Sequence, residues 1–249
     1  MMKKKSWAAA VLIWAAALLL NGIARASQAF AEWYAVSLYP LWVNTLGRLL
    51  SPLPFSLAEF LLYAGLILLL FSLVRGVIRL ARDRQRRGEI LQSALRKLVW
   101  ITGVLLLVFT LGGGINYQRK TFGELAGLPV EDSSVEELTA LCRELAEAVC
   151  ADADLVSRDV EGRCQPGDSL RAEAVAAMER LGESYHFLAG YYPTPKPVLV
   201  SDLLSVQKVT GIYSPFTLEA NYNRDIPGYN LPHTLCHELS HLKGFMRED

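Results

Sequence analysis

At 249 residues, 52% of them hydrophobic, the chain has room for several membrane spans and one modest folded domain. Its net charge is zero but unevenly divided: residues 1–120 carry 15 Lys/Arg against 4 Asp/Glu, and the rest 10 against 21, so the halves stand at +11 and −11. A basic front half suits a membrane-facing segment, and an acidic back half suits a soluble domain whose charge excludes nucleic acid as its partner.

Three apolar stretches follow one another in the front half: Trp7 to Ala26, Phe55 to Val74, and Leu98 to about Ile115. Each approaches the ~20 residues that cross ~30 Å of hydrocarbon. Lys3, Lys4 and Lys5 precede the first, and Arg75, Arg79, Arg82, Arg84, Arg86, Arg87, Arg96 and Lys97 crowd the loop between the second and third. The excess of positive charge places both segments in the cytoplasm, so the third span delivers residues 118–249 to the outside. This predicts a multi-pass cell-membrane protein with a membrane region over 1–117 and an extracytoplasmic domain over 118–249. The first stretch, with Ala24-Arg25-Ala26 at its end, also has the form of a secretory signal; an uncleaved anchor is the favoured reading, and the topology is the same either way. Between the first two spans, Trp33, Tyr34, Tyr39, Pro40 and Trp42 give residues 28–54 the look of an aromatic loop lying at the lipid surface.

In the acidic half, Leu138, Leu141, Leu145 and Val149 recur at helical spacing after Ser133 and Ser134, with Glu136 and Glu137 in the first turn, so Val135 to Cys150 is predicted helical. A polar loop containing Gly162, Pro166 and Gly167 follows, then a second helix from Ser169 to Tyr185 through Leu170, Ala174, Ala177, Met178 and Leu181. Pro193, Pro195 and Pro197 end helical structure. Val198 to Val200, Gly211 to Tyr213 and Thr217 to Tyr222 are predicted strands, the last alternating Glu219, Asn221 and Asn223 with Leu218, Ala220 and Tyr222.

The chemistry gathers at the end of the chain. Pro232 suits a first helical turn, where its missing N–H costs nothing. The helix it opens carries His237-Glu238-Leu239-Ser240-His241 and is predicted to stop at Gly244. Two histidines four residues apart share one helical face, so both imidazoles reach a single Zn²⁺, and Glu238 is placed to act as general base on water held there. The residues around the motif, Thr234, Leu235, Cys236 and Leu242, are uncharged, as a buried metal helix requires, while Lys243 departs from the apolar residue expected. Glu219, Asn221 and Asn223 are candidates to line the cleft and hold an extended peptide, with a polar strand face as the plainer alternative. Tyr213 is a candidate to stabilise an oxyanion, against the plainer reading of a packed aromatic. His233, one turn before His237, would either orient a ligand from outside or sit in solvent. Cys236 projects away from His237 and is read as a small buried residue. Of the other cysteines, Cys164 could bridge to Cys150 or Cys142 in an oxidising exterior.

The run Gly211 to Asn221, then Asp225-Ile226-Pro227, Leu231 to His241 and Gly244 to Asp249, preceded by the spans, Asn116-Tyr117 and the Leu128-Pro129 turn, resembles a family of uncharacterised bacterial membrane proteins with an extracytoplasmic zincin-like domain. The resemblance is strong from about Lys196 onward and loose in the spans. It implies a multi-pass α-helical membrane anchor joined to an α+β zincin-like metallopeptidase domain of gluzincin type, with no substrate attached to the family. In such proteins the third zinc ligand is a Glu on a following helix, within a Glu-x-x-Ala-Asn or Glu-x-x-Ala-Asp pattern, a place that Glu248 fills. The same resemblance leads one to expect a further helix beyond Asp249, or else a shortened, inactive version. The expectation is therefore a zinc-dependent peptidase with the lipid bilayer and a peptide or protein substrate as partners. The alternative is a membrane sensor or scaffold that holds zinc without cleaving.

Overall fold

The computed structural model describes residues 2–129 and 131–248. Asp249 and the side chains of Lys3, Lys4 and Lys5, which the sequence reading used, lie outside the described residues. Three of its helices are long and apolar enough to cross a membrane: Trp7–Ala26, Leu57–Arg82 and Arg84–Gln118.

Helix α1 (Met2–Ala26) packs along the third of these, where Trp14 Nε1 donates to the Val99 carbonyl at 3.0 Å and Asn21 Nδ2 to Thr110 Oγ1 at 2.7 Å. Such bonds inside an apolar bundle satisfy polar groups that lipid could not. The chain then continues into α2 (Gln28–Ser37), capped by Ser27, followed by α3 (Tyr39–Trp42), a π-helical turn at Val43–Gly47 and α4 (Arg48–Leu50). The segment expected to form a loop is thus helical and half-buried. Ala31, Tyr34 and Ala35 recur at helical spacing on its inner face, Tyr39 is fully buried, and of the aromatics named for a surface loop only Trp33 and Trp42 are exposed.

Helix α5 (Leu57–Arg82) follows, capped by Ser56, and a short 3-10 turn leads into α6 (Arg87–Phe109), which widens into a π-helical turn at Thr110–Gly114 and then tightens to a 3-10 turn at Ile115–Gln118. Gly112 and Gly113 permit close approach there: a Cβ on Gly112 would stand 1.9 Å from the Pro215 carbonyl oxygen.

After the short α7 (Phe122–Ala126), α8 (Val135–Asp152) begins with a reciprocal cap between Ser134 and Glu137, as its sequence predicted. Its apolar face, with Leu138, Leu141, Leu145 and Val149, is exposed. Helix α9 (Leu170–Ser184) buries Ala174 and Met178. The predicted strand at Val198 to Val200 is displaced: pairing is confined to β1 (Lys196–Pro197), and the chain bends at Val200 into α10 (Ser201–Val206). Strands β2 (Gly211–Ser214) and β3 (Glu219–Tyr222) form a hairpin, with β3 parallel to β1 and antiparallel to β2, giving the order β1-β3-β2. Helix α11 (Leu231–His241) carries the histidine motif.

One hydrophobic core joins these pieces. Ala24, Ala31, Tyr34, Tyr39 and Ile115 from the membrane region pack in one cluster with Met178, Leu218, Ala220, Leu235, Leu239, Leu242 and Met246. The core therefore crosses the expected boundary at residues 117 and 118. All four cysteines are free thiols, Cys142 and Cys150 exposed and Cys164 and Cys236 half-buried, so the anticipated bridge at Cys164 is not formed.

Candidate metal centre

Leu235 and Leu239 are fully buried and Leu242 nearly so, which fixes the rotation of α11 and leaves His237, Glu238 and His241 against the sheet and the chain end. Ligand atoms of these three residues all lie within 4.8 Å of one another. The helix ends at His241 rather than running on to Gly244; the Leu242 N–H bonds back to Leu239, and Gly244, at φ +86°, turns the chain. That turn returns the last residues over the helix, so Glu248 Oε2 stands 3.1 Å from His237 Nε2 and Glu248 Oε1 stands 3.9 Å from His241 Nε2.

The returning segment is held firmly. The Arg119 guanidinium donates to the Lys243 carbonyl and to the Glu32 carboxylate, and it lies over the Phe245 ring at 4.2 Å. Phe245 in turn packs edge-on against Phe122 and Phe187. Lys243, the residue out of place in the sequence pattern, is accounted for by its surroundings. Its ammonium donates to the carbonyls of Ala189 and Tyr191 and lies 3.9 Å over the Tyr192 ring, with burial lowering its pKa to about 8.

Of the titratable groups at the centre, Glu238 and His241 are buried. His241 Nδ1 faces the Phe245 carbonyl, which can only accept, so Nδ1 carries the proton and Nε2 is left with its lone pair directed at the cluster. Burial lowers the His241 pKa, with His237 adding to the shift and the Phe245 carbonyl and Glu248 opposing it. Glu238 is buried, its Oε2 has no partner, and burial together with the charge of Glu248 raises its pKa to about 8. Four ligands at 2.0–2.1 Å in a tetrahedron stand about 3.3 Å apart. The Glu248 to His237 and Glu248 to His241 separations bracket that value, so these three side chains could hold such an ion.

Gly211, in β2, bounds the other side of Glu238: a Cβ there would fall 2.5 Å from Oε1 and 2.7 Å from Cγ. Nothing in the sequence marked this glycine as part of the site.

The remaining candidates lie elsewhere. Glu219 is buried and ion-paired to Lys196 at 2.6 Å, and it accepts from the N–H groups of Leu57 and Ala58. Asn221 donates to the carbonyls of Ile212 and Glu219, and Asn223 to Ser205 Oγ and the Val209 carbonyl. All three make their hydrogen bonds to the interior. The Tyr213 hydroxyl donates to the Gly112 carbonyl at 2.7 Å and meets the Tyr39 hydroxyl at 2.7 Å, so it is a packed aromatic beside His241 with no proton free for an oxyanion. Tyr39 also donates to the His241 carbonyl, a contact across 202 residues that sequence spacing could not reveal. His233 is exposed and stacks 6.1 Å from His237.

Neither a curated protein nor a solved structure matches the chain. A family model described as "Protein of unknown function (DUF3810)" matches residues 34–249, and the chain belongs to that family.

Proposed function

We propose that the protein is a membrane-anchored, zinc-dependent peptidase, with three spans and the metal centre on the extracytoplasmic side. The reading rests on one arrangement: His237 and His241 one helical turn apart, Glu248 brought between their Nε2 atoms by the chain end, and the buried carboxylate of Glu238 beside them with an oxygen to spare. His237, His241 and Glu248 would hold the ion. Bound there, zinc supplies Lewis acidity, which lowers the pKa of water towards ~7 and polarises a carbonyl. Glu238 would take the proton of the attacking water and return it to the departing amine nitrogen.

The sheet offers the peptide a place to bind. Strand β2 is an edge, and Asn223 N–H donates to the Thr210 carbonyl across the hairpin. Alternation of antiparallel pairing then turns the backbone groups of Gly211 and Tyr213 away from β3. An extended chain adding to that edge would lie beside Gly211, which abuts Glu238. In this reading the peptide-binding role expected of the β3 side chains would fall to the β2 backbone.

The test is metal content and cleavage of a peptide library by the detergent-purified full chain. About one zinc per chain with chelator-sensitive cleavage lost in Glu238→Gln is expected. Zinc retained with no cleavage would leave only a zinc-holding sensor, and no zinc would end the reading.

A further inference from the structure

The geometry points to a substrate class: peptide segments lying at the outer surface of the bilayer, such as the membrane-proximal stretches of anchored proteins, in preference to freely diffusing chains. This rests on the peptidase reading and on the three-span topology above.

No linker separates the metal centre from the spanning helices. The Tyr213 ring is 5.8 Å from the His241 ring, and its hydroxyl is 2.7 Å from the Gly112 carbonyl at the end of the third apolar helix. One phenol therefore bridges imidazole and span. Beside it, the Pro215 carbonyl fills the space a side chain on Gly112 would take, and Met246 Sδ sits against Gly113. The second apolar helix is gripped as well. Glu219 of β3 accepts from the first two N–H groups of α5, while Glu59 of α5 accepts from the N–H groups of Leu199 and Val200. Two spans thus end on the same side as the site and are bonded to the sheet that borders it.

The surface on that side is apolar where a freely solvated domain would be polar. Leu199, Val200 and Leu203 stand exposed around the outer end of α5, and Ile212 and Phe216 stand exposed on the β2 hairpin. Trp33 and Trp42, also exposed, are residues suited to the headgroup layer. Because Ile212 lies on β2, next to the Gly211 that abuts Glu238, a chain paired with β2 would itself lie in that layer. A soluble substrate would have to enter the layer first, whereas a membrane-tethered one starts there.

Two measurements on the full chain in liposomes decide the matter. A dye on Ile212→Cys, in a background lacking the four native cysteines, should be quenched several-fold more by headgroup-nitroxide lipids than a dye on Val160→Cys, which is fully exposed on the arm after α8. Equal quenching overturns the inference whether or not the protein is active. The second uses a long unfolded polypeptide tethered by a palmitoyl chain, its cut sites mapped by mass spectrometry, with Glu238→Gln as control. Cuts should cluster within about ten residues of the tether, a span of roughly 33 Å in extended chain. Cuts scattered along the whole tail would overturn the inference and leave the peptidase reading standing. Strong quenching at position 212 with no cleavage of any chain would sink the peptidase reading, and the substrate class with it.

Discussion

Replacing Gly211 by alanine should disable Glu238 without removing it. The new Cβ would lie 2.5 Å from Oε1, 2.7 Å from Cγ and 2.8 Å from Cδ, against ordinary contacts near 3.5 Å, so the carboxylate must retreat by about 1 Å. Little room exists for the retreat, since Glu238 is itself buried and its neighbours Leu235 and Leu239 are fully so. Misplacing a reacting group by that distance costs on the order of 10²-fold in rate. Overpacking should also cost about 1–3 kcal/mol of stability, partly offset by the ~0.5–1 kcal/mol that alanine gains over glycine within a strand. His237, His241 and Glu248 are untouched by the change, so elemental analysis should still find about one zinc per chain while peptide cleavage falls about a hundredfold. Gly65→Ala, where a Cβ meets nothing within 4 Å, is the control. Cleavage by Gly211→Ala within a few-fold of the parent would show that Glu238 is not the base, or that β2 does not confine it.

Other perturbations probe the supports. Lys196→Met strands Glu219 in a site where both partners are 3% exposed, and thermal unfolding in detergent should show a loss of about 3–5 kcal/mol, with part regained in Lys196→Met/Glu219→Gln; an unchanged melting temperature would refute the pairing. Gly112→Ala sets a Cβ against the backbone of Pro215, which no rotamer change relieves, so the β2 hairpin should detach and become sensitive to limited proteolysis. Glu248→Ala should weaken zinc binding in a competition titration by more than the roughly 10–100-fold typical of an outer-sphere partner, and equal affinity would remove Glu248 from the ligand set. In chelator-treated protein, Glu238 has a folded pKa of about 8 against an ordinary 4.5, so the folded state holds the extra proton between those values. Stability should then fall as pH rises through that window, by up to about 1.4 kcal/mol per unit, and the Glu238→Gln melt should lose this slope.

What the sequence made legible follows from range. The histidine motif and the start of α8 are local patterns that appear where their spacing placed them, while the second and third apolar helices run through Arg82 and from Arg84, so the loop expected at 75–97 is almost wholly helical. The errors concern partners far along the chain. Glu219, Asn221 and Asn223 alternate as a solvent-facing strand would, yet α11 packs on β3 and the Glu219 carboxylate is tied to Leu57 and Ala58, some 160 positions earlier. Likewise Val198 to Val200 has the composition of a strand, but Glu59 captures the N–H groups of Leu199 and Val200 and the chain bends there. Aromatic content could not separate Tyr34 and Tyr39, which are buried, from Trp33 and Trp42, which are not, because both environments favour rings. Helical periodicity in α8 showed which face is apolar; periodicity carries no information about what that face meets.

The two unfavourable ionisations at the centre have one origin. Burial drives Glu238 towards its neutral acid and His241 towards its neutral base, and each shift measures a charge the site disfavours by itself. For a divalent cation the same burial works in the opposite sense: neutral imidazoles are the form that binds, and a nearby positive charge restores the ionised carboxylate that proton transfer requires. The low local polarity that makes these residues costly individually makes them a strong set together, because fewer water dipoles compete for the ion. Placement against the ends of the long apolar helices would contribute to that low polarity. Membrane proximity would then serve two purposes at once, delivering tethered chains to β2 and keeping dry the carboxylate that acts on them.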